Sequence, residues 1–380
     1  MDRRPLLNKA GGDFYYRGMN SDTEQISGAP ASLVEVTRGA MVESRHRGTV
    51  VVVSAEGERV ASLGDPETRT WYRSAAKPFQ TIPIVTSGAA AHFALTPREL
   101  AVITGSHSGE EIHLDAVRAI LEKIGLDELA LQCGAHTPFD EAAAKRLRAE
   151  GRPATALHNN CSGKHAGMLA FARHIGAPIE TYLDPEHAIQ RRIREALARF
   201  AAVPPEEIAI AVDGCSAPVF GVSLTAMARS YAQLVGVRHT DIEADPAAAA
   251  AQVVDAMLAF PEMIGGTRRR LDTDLMRIAR GRIIAKVGAE GVQLLGVKPD
   301  ARYPRGLGIA IKIEDGDIRR ARDPVVIETL RQLGLLDDDQ LAALAGYAGS
   351  AVFNHRKLEV GEVRARFTLC EAEKSDAARE

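Results

Sequence analysis

Strand patterns occur at both ends of this 380-residue chain, and a long block of helical patterns separates them. Short runs rich in β-branched residues predict strands at 33–37, 48–54, 58–62, 283–287, 292–297, 307–313 and 362–369. Short connections join the first three runs, so we expect antiparallel strands there. The economical arrangement is one antiparallel sheet built from both ends of the chain, with an inserted helical lobe packed against it. This is an α/β fold of the α+β kind.

The same patterns divide the chain into a tail and one two-lobed domain. Residues 1–31 lack apolar periodicity, and we interpret them as a flexible extension. Residues 32–370 form the domain, with a sheet lobe at 32–73 and 281–370 and a helical lobe at 74–280. Apolar spacing predicts helices at 97–105, 110–125, 139–149, 162–176, 185–200, 220–235, 246–260 and 322–346, with an isolated strand at 208–212.

Composition and charge exclude several classes of protein. The 47 basic and 50 acidic residues give a formal net charge of −3, which argues against nucleic acid as a partner. The sequence has no apolar run long enough to cross a membrane and no signal-peptide pattern at its start. Its four cysteines form neither a disulfide framework nor a zinc-ribbon pair. We therefore expect a cytoplasmic protein that binds neither membrane nor nucleic acid.

The basic residues are strongly biased toward arginine, with 10 lysines and 37 arginines. Arginine supplies a solvated positive charge as well as lysine does, but it cannot give up its proton in a protein. We therefore hypothesise that the lysines are enriched at positions where an amine is required. Lys77, Lys164 and Lys286 stand in weakly charged surroundings rich in glycine or alanine, and these three are the candidates.

Ser74 and Lys77 are three residues apart, where the first strand region gives way to a helical pattern. At the start of a helix this spacing places both side chains on one face. A neutral amine in that position takes the proton from a serine that attacks a carbonyl group. The alternative is structural, with Ser74 as a helix cap and Lys77 as a solvated charge.

Two further segments carry a hydroxyl and an amine. Ser106 and His107 lie in a polar turn between two predicted helices, where a neighbouring serine could also serve as a helix cap. Lys286 interrupts an apolar strand, and Gly288 leaves space beside it. A solvent-facing lysine on an edge strand fits the same alternation. The three arginines at 268–270 are interpreted as a solvated face.

Two cysteines occur in polar segments with the chemistry of ligands. Cys161 and Lys164 are three apart before an apolar helix, and Cys215 follows Asp213 just after the strand at 208–212. A helix N-terminus and a nearby cation favour the thiolate form, which suits metal binding or nucleophilic attack. Two thiolates alone do not complete a zinc site, so further ligands are needed. The alternative is a pair of ordinary turns with buried, inert cysteines.

Taken in order, these segments resemble the L-asparaginase II family of rhizobia and other bacteria. This is the lysine-dependent class, whose fold is similar to that of serine β-lactamases and glutaminases. The matching stretches are 73–78, 106–110, 159–165, 213–215 and 285–291, and the segment 38–46 also looks like the family's opening strand. The resemblance covers almost the whole chain from residue 33 to about residue 369.

The resemblance implies hydrolysis of the side-chain amide of L-asparagine to L-aspartate and ammonia by a homodimer. It also implies a zinc ion that tunes substrate affinity and is not strictly required. The residues that look like the family's serine–lysine pairs are Ser74 with Lys77 and Ser106 with Lys286. The residues that look like its substrate-binding residues are Arg73, His107, Asp213 and His165. The residues that look like its zinc ligands are Cys161, Lys164 and Cys215.

Three other functions fit parts of the same pattern. A penicillin-recognising serine enzyme also uses Ser-x-x-Lys and a lysine on a strand, but this sequence has no Ser-Asp-Asn triplet. A glutaminase of the same fold accepts a substrate longer by one methylene, which is worth only about 1–3 kcal/mol of discrimination. The last is a zinc- or amino-acid-binding module without turnover.

Amide hydrolysis needs an activated nucleophile and a proton donor for the departing ammonia. A lysine serves as the base only if burial or neighbouring cations bring its pKa well below the usual value near 10.4. Because like charges repel, a cluster of Lys77, Lys286 and a metal ion has this effect. We therefore expect one of the two lysines to be neutral at rest. The residues leave open which serine forms the acyl-enzyme.

Overall fold

Strands from both ends of the chain pair in one antiparallel sheet, which confirms the predicted fold class. The computed structural model describes residues 30–236 and 244–371. Residues 1–29 of the predicted extension therefore lie outside the described residues. Ala31, which was assigned to that extension, begins the first strand. The strands are β1 (Ala31–Arg38), β2 (Met41–Ser54), β3 (Arg59–Leu63), β4 (Arg69–Trp71), β5 (Ala209–Val212), β6 (Pro218–Ser223), β7 (Ile283–Gly288), β8 (Val292–Val297), β9 (Leu307–Ile313), β10 (Gly349–Phe353), β11 (Glu359–Ala365) and β12 (Cys370–Glu371).

The large sheet has the order β10-β11-β1-β2-β9-β8-β7, and β3 pairs with both β2 and β12. The pairing of β2 with β9 sets Val51 opposite Ala310, and the pairing of β1 with β11 sets Val36 opposite Val363. Both ladders join the N-terminal part of the chain to the C-terminal part. The complete sheet therefore forms only when both ends of the chain are present.

The remaining described residues form mostly helices, and none of these helices is both long and apolar enough to cross a membrane. They are α1 (Lys77–Thr86), α2 (Ala89–His92), α3 (Pro97–Thr104), α4 (Glu111–Lys123), α5 (Glu141–Ala149), α6 (Ser162–His174), α7 (Ala188–Ala201), α8 (Leu224–Val235), α9 (Ala244–Ala259), α10 (Pro261–Ile264), α11 (Leu271–Ile278), α12 (Asp323–Gln332), α13 (Asp338–Ala343) and α14 (Ala345–Ala348). Short 3-10 helices lie at Arg73–Ala76, Glu128–Ala130, Ala156–His158 and Pro205–Glu207, and a π-helical turn at Ile318–Arg322.

Two of the predicted helices differ from the observed elements. The predicted helix at 220–235 begins only at Leu224, because the residues before it form β6 in a small sheet of order β4-β6-β5. Ser223 ends that strand, and its side chain caps α8 by accepting a hydrogen bond from the Ala226 amide. The predicted helix at 322–346 is interrupted at Gly334, which has a left-handed φ of 62°.

The predicted last strand, at 362–369, also differs in extent. In the structure β11 runs from Glu359 to Ala365, and the sequence patterns did not predict its neighbour β10. The burial pattern gives the reason, since most residues of β10 and β11 are exposed or half-buried. An exposed edge strand such as β10 lacks the alternation of apolar and polar residues that marks a half-buried strand.

Helix α6 forms the centre of the helical part, because every residue from Ser162 to Ala172 is buried. It approaches α3 closely at Gly163, where a Cβ atom would lie 2.3 Å from the Val102 carbonyl oxygen. Only glycine tolerates this contact with the backbone. The close approach brings the N-terminus of α6 next to the C-terminal end of α3.

Strand β7 lies at one edge of the sheet, but it packs against α11 and the 3-10 helix Arg73–Ala76. A Cβ atom on Gly288 would lie 2.5 Å from the Tyr72 carbonyl oxygen. The absent side chain therefore lets the end of β7 touch the segment that precedes α1. This contact joins the sheet to the helical part beside the residues described next.

Candidate active site

Three segments that are far apart in the sequence meet at Ser106. Lys77 begins α1, Ser106 follows α3, and Lys286 lies within β7. The Ser106 Oγ atom is 2.9 Å from the Lys77 Nζ and 2.8 Å from the Lys286 Nζ. The exposed fractions of the three residues are 2% for Ser106, 1% for Lys77 and 0% for Lys286. The alternatives of a solvated Lys77 and a solvent-facing Lys286 are therefore wrong.

The two amines differ in their remaining partners. The Lys77 Nζ also donates to the carbonyl oxygens of Gly105 at 2.6 Å and Asn160 at 3.3 Å. Among the described residues, the Lys286 Nζ has one further acceptor, the Val287 carbonyl at 3.0 Å. Burial, and next the charge of Lys77, hold the pKa of Lys286 well below its ordinary value. Burial also lowers the pKa of Lys77, but a neighbouring cysteine opposes this change. The arrangement favours a charged Lys77 and a neutral Lys286.

Ser74 lies in the 3-10 helix Arg73–Ala76, is half-buried, and lines the same cavity as Ser106. Within the described part of the chain, the Lys77 amine makes no hydrogen bond to Ser74, so the predicted pairing of these side chains is not observed. The reason is that the amine extends into the core, where carbonyl groups and the Ser106 hydroxyl accept its hydrogen bonds. Arg73, just before the serine, has a left-handed φ of 48°, a costly conformation often found at functional sites.

Two buried thiols and an amine form a second cluster. Cys161 is the N-cap residue of α6, and Cys215 lies in the turn between β5 and β6. The Lys164 Nζ donates to the Cys215 Sγ at 3.0 Å. A hydrogen bond from Cys161, and next the charge of Lys164, lower the pKa of Cys215 to about 5 against the effect of burial. The same hydrogen bond and burial raise the pKa of Cys161 to about 12.

The donor atoms of this second cluster suit a zinc ion. Zinc takes thiolate sulfur and nitrogen ligands, and Cys215 is already a thiolate at neutral pH. Burial lowers the pKa of Lys164, but Cys215, Cys161 and Asp213 raise it further, so the amine is protonated without a metal. The set fits zinc on the condition that Lys164 and Cys161 release their protons on binding. Across the described residues, no group of three or more His, Cys, Asp or Glu side chains could hold a metal, so the Lys164 amine is needed to complete this set.

Asp213 forms an ion pair beside the thiols. Its Oδ1 atom accepts a hydrogen bond from the Arg73 Nε at 2.7 Å. Burial raises the pKa of Asp213, but the charges of Lys164 and Arg73 outweigh burial, and the net result is a lowered pKa. The carboxylate is therefore ionised at neutral pH. It connects the thiol cluster to the residue that precedes Ser74.

The two histidines that the resemblance assigns to substrate binding are fully buried. The His107 Nδ1 accepts the Gly109 N–H at 3.2 Å, and its Nε2 lies 2.9 Å from the Ser162 Oγ. The His165 Nδ1 lies 2.7 Å from the Tyr182 hydroxyl. Considering the described residues only, neither imidazole lines the cavity beside Ser106. Their contact with substrate stays a prediction. In the structure His107 contacts the Gly109 backbone and the Ser162 side chain, and His165 contacts the Tyr182 side chain.

A cavity of about 890 Å³ opens beside the two serines. Its wall includes Ser74, Ser106, Asn160, Arg270 and Gly288, which come from both the helical part and the sheet. The volume lies within the usual range of small-molecule sites. Both serines border this cavity, while the amines behind Ser106 are shielded from water.

The sequence interpretation missed the role of one arginine. Arg268 and Arg269 are exposed, as expected, but Arg270 is half-buried and turns inward, so the solvated face predicted at 268–270 is wrong at its last residue. The Arg270 Nη1 donates to the Ser108 Oγ at 2.7 Å, and its Nη2 donates to the Ser106 carbonyl at 2.9 Å. The glycine pair before the three arginines was the signal available in the sequence. In the structure the backbone at Gly266 lies against Ser108, since a Cβ atom there would be 2.5 Å from the Ser108 Oγ.

Asp272 is a second residue that the sequence interpretation missed. It is 2% exposed, and its two carboxylate oxygens accept hydrogen bonds from the Gln293 side chain and the Val287 N–H, both at 2.9 Å. These bonds fix the end of β7 against α11. The carboxylate thereby holds the strand segment that carries Lys286.

Residues 34–365 match the family described as L-asparaginase II. The match spans all the elements that build the site, from β1 to β11. A comparison with curated proteins finds no match.

Several solved structures show distant similarity. A crystal structure of Mglu is 16% identical, with coverage of 77% of this chain and 68% of that chain and a TM-score of 0.41. Mglu in the presence of 4.3 M NaCl is 18% identical, with 77% and 62% coverage and a TM-score of 0.40. A probable glutaminase from Bacillus subtilis, complexed with 6-diazo-5-oxo-L-norleucine, is 14% identical, with 76% and 85% coverage and a TM-score of 0.38. The chain thus spans less than two thirds of the second Mglu chain, and likeness at this level carries no argument about activity.

Proposed function

Since the chain belongs to the L-asparaginase II family, and is thereby an amidohydrolase of the asparaginase or glutaminase type, we propose that it hydrolyses the side-chain amide of L-asparagine to L-aspartate and ammonia. One observation carries the proposal: a serine hydroxyl lies within hydrogen-bond distance of two buried amines beside a cavity of suitable size. Activation of a hydroxyl by a neutral amine is what amide hydrolysis through an acyl-enzyme requires.

The reaction follows from the different environments of the two lysines. Neutral Lys286 takes the Ser106 proton, because its amine is buried, close to the hydroxyl, and poor in other acceptors. Charged Lys77 stabilises the resulting alkoxide from the other side. A serine oxygen attacks the amide carbon, the proton on Lys286 passes to the leaving ammonia, and water then hydrolyses the ester.

Two serines can supply the attacking oxygen. Ser106 contacts both amines directly, and Ser74 lines the cavity while it lacks an amine partner among the described residues. If Ser74 attacks, Ser106 relays its proton to Lys286. Both routes need Ser106 and Lys286, but only one of them needs the Ser74 hydroxyl.

Ammonia release tests the proposal. Wild type, Ser74→Ala and Ser106→Ala are assayed with L-asparagine and L-glutamine, and intact-mass spectrometry after rapid quenching identifies the acylated serine. We expect ammonia from asparagine, and a loss of about 10²–10⁴-fold in kcat for Ser106→Ala. Unchanged activity in both variants would contradict the serine–lysine mechanism.

The same assay separates the other candidate functions. Faster ammonia release from glutamine than from asparagine would make the protein a glutaminase, and turnover of a chromogenic cephalosporin would indicate a penicillin-recognising enzyme. Zinc binding without any ammonia release would leave only a binding module. The homodimer stays a prediction, which light scattering of the purified protein tests.

We also propose that Cys161, Lys164 and Cys215 hold a zinc ion. A bound zinc supplies a positive charge that orients substrate and tunes its affinity. The support is the contact among the two thiols and the amine and the lowered pKa of Cys215.

Thermal unfolding tests the zinc proposal. A ligand present at about 100 times its Kd stabilises the native state by about 2.7 kcal/mol, so zinc should raise the Tm of the wild type. Cys215→Ser should abolish the increase. Cys370→Ser is the matched control, because Cys370 is exposed and lies in the short strand β12. Equal zinc-induced shifts in both variants would refute the assignment.

A further inference from the structure

Arg270 is a half-buried cation whose hydrogen-bond partners are all uncharged. Its guanidinium donates to the Ser108 Oγ at 2.7 Å, the Gly265 carbonyl at 2.8 Å and the Ser106 carbonyl at 2.9 Å. Within residues 30–236 and 244–371, it forms no salt bridge with a carboxylate. Charges removed from water in proteins are normally paired. An anion is therefore the missing partner of this side chain.

The donors that remain on Arg270 are suited to a carboxylate. A guanidinium has five N–H groups in a planar fork, and the contacts above use three of them. Two N–H groups, one of them on Nε, are left without a partner among the described residues. Because Arg270 lines the cavity beside Ser106, a ligand in the cavity can reach them. A planar fork binds a carboxylate with two parallel hydrogen bonds.

The nearby carboxylates are already engaged elsewhere. Both oxygens of Asp272 accept hydrogen bonds from Gln293 and Val287, and both oxygens of Glu110 accept from Thr267. Among the other arginines that line the cavity, Arg268 pairs with Asp140, Arg322 pairs with Asp323, and Arg269 and Arg319 are exposed. Arg73, beside the thiol cluster, pairs with Asp213 at 2.7 Å. Among the described arginines of the cavity wall, Arg270 is the one that is shielded from water and has no carboxylate partner.

We propose that Arg270 binds the α-carboxylate of the amino-acid substrate. The inference rests on the proposed function and adds a substrate class, namely short side-chain amides of amino acids with a free α-carboxylate. The position of Arg270 fits a small substrate, because the guanidinium holds the backbone of the residue whose hydroxyl faces the two amines. In asparagine the amide and the carboxylate are separated only by one CH–CH₂ unit, so both groups fit between Ser106 and Arg270.

The test compares two substrates in matched variants. L-asparagine carries the carboxylate, and 3-aminopropanamide has the same amide and amine without it. The variants are Arg270→Gln, Arg270→Lys and the control Arg277→Gln, an exposed arginine of α11 whose Nη2 donates to Glu262 at 3.0 Å. Values of kcat and KM come from ammonia release, and L-aspartate binding is measured by calorimetry.

We expect the wild type to prefer asparagine over 3-aminopropanamide by at least about 10-fold in kcat/KM. This is the factor that one hydrogen bond to a charged group typically contributes to binding. Arg270→Gln should lose most of that preference through a higher KM for asparagine and should weaken L-aspartate binding. Because Arg270 also holds the Ser106 backbone, any loss in kcat should be the same for the two substrates. Arg270→Lys should recover part of the preference, and Arg277→Gln should match the wild type.

Equal losses in kcat/KM for the two substrates would overturn the proposal, because they would mean that Arg270 only holds the Ser106 backbone. A wild type that turns over 3-aminopropanamide as fast as asparagine would overturn it even if the variants do not fold. If the wild type releases ammonia from neither substrate, the proposed function fails. Calorimetry with L-aspartate then decides separately whether Arg270 binds a carboxylate.

Discussion

Lys286 occupies the environment least suited to a charged amine. The side chain is fully buried, and its Nζ has a serine hydroxyl and one carbonyl as partners within the described residues. Asp272, the carboxylate that raises its pKa, is outweighed by burial and by the charge of Lys77. A neutral amine is the state that this site stabilises, and it is also the state that accepts a proton.

Replacing Lys286 by methionine should raise stability and abolish activity. The folded pKa lies below the unfolded value near 10.4, so the unfolded chain binds more protons between these two values. Wild-type stability therefore falls as pH decreases through this window and stays low below the folded pKa. We expect Lys286→Met to raise the free energy of unfolding at pH 7 by about 1–3 kcal/mol, because the variant removes a buried amine whose pKa folding lowers.

Urea unfolding between pH 6 and pH 10 measures this difference, with Lys298→Met as the control because that lysine is more than a third exposed. A Lys286→Met protein less stable than the wild type at pH 7 would show that the amine is charged and well compensated. The rate profile gives an independent reading, since kcat/KM should rise with pH as Lys286 loses its proton.

Part of this site could be predicted from single residues. The scarcity of lysine singled out Lys77, Lys164 and Lys286, and all three are buried where the chemistry lies. The partner of Lys77 was not predictable, because a spacing of three residues states which side chains share a face and not which carbonyl groups surround the amine. Arg270 was missed because three consecutive arginines look solvated, and the backbone turn that buries the last one depends on a distant loop.

At the level of secondary structure, the contact between β7 and the 3-10 helix Arg73–Ala76 controls the alignment of the site. Gly288→Ala would place a Cβ atom 2.5 Å from the Tyr72 carbonyl oxygen, which belongs to the backbone and cannot turn away. The strand and the 3-10 helix must then separate. Because a displacement of about 1 Å can cost 10²-fold in rate, we expect kcat to fall by about 10–100-fold.

Gly346→Ala is the matched control for this variant. Among the described residues outside its own helix and its chain neighbours, no atom lies within 4 Å of the position that its Cβ atom would take, and Gly346 has no left-handed φ. Steady-state ammonia release gives kcat, and circular dichroism confirms that both variants fold. Full activity in Gly288→Ala would mean that the two elements do not need their close approach.

Most helices and strands followed from apolar periodicity, and the exceptions have a common cause. The residues of β6 were assigned to a helix because their apolar run continues directly into α8 without a turn. The strand forms because β4 and β5 lie on either side of it, and β4 is distant in sequence. Local patterns do not contain that information, so pairing between remote segments overrides local preference.

For the whole molecule, the central pairing of β2 with β9 joins residues near the two ends of the chain. A fragment ending at residue 281 retains β1 to β6 but loses β7, β8 and β9, so the four buried valines of β2 lose their cover on one side. We expect this fragment to lack a cooperative thermal transition by circular dichroism. Adding the complementary fragment should restore it.

Cooperative melting of the fragment that ends at residue 281, without its complement, would show that the helical part is an independent folding unit. The order of strands, helices and strands was sufficient to predict the large sheet that joins both ends of the chain. The strand order within it was not predictable, since alternation shows which face of a strand is buried but not which strand lies beside it.

The Ser106–Lys286 contact crosses the boundary between the sheet and the helical part. The length of this hydrogen bond therefore depends on how closely the sheet packs against the helical part. Low urea concentrations or moderate pressure that weaken this packing would abolish catalytic activity while the helices and strands still give a native circular dichroism spectrum. Inactivation should occur at a lower urea concentration or pressure than unfolding. The difference between the two midpoints would measure the strength of the packing between the sheet and the helical part.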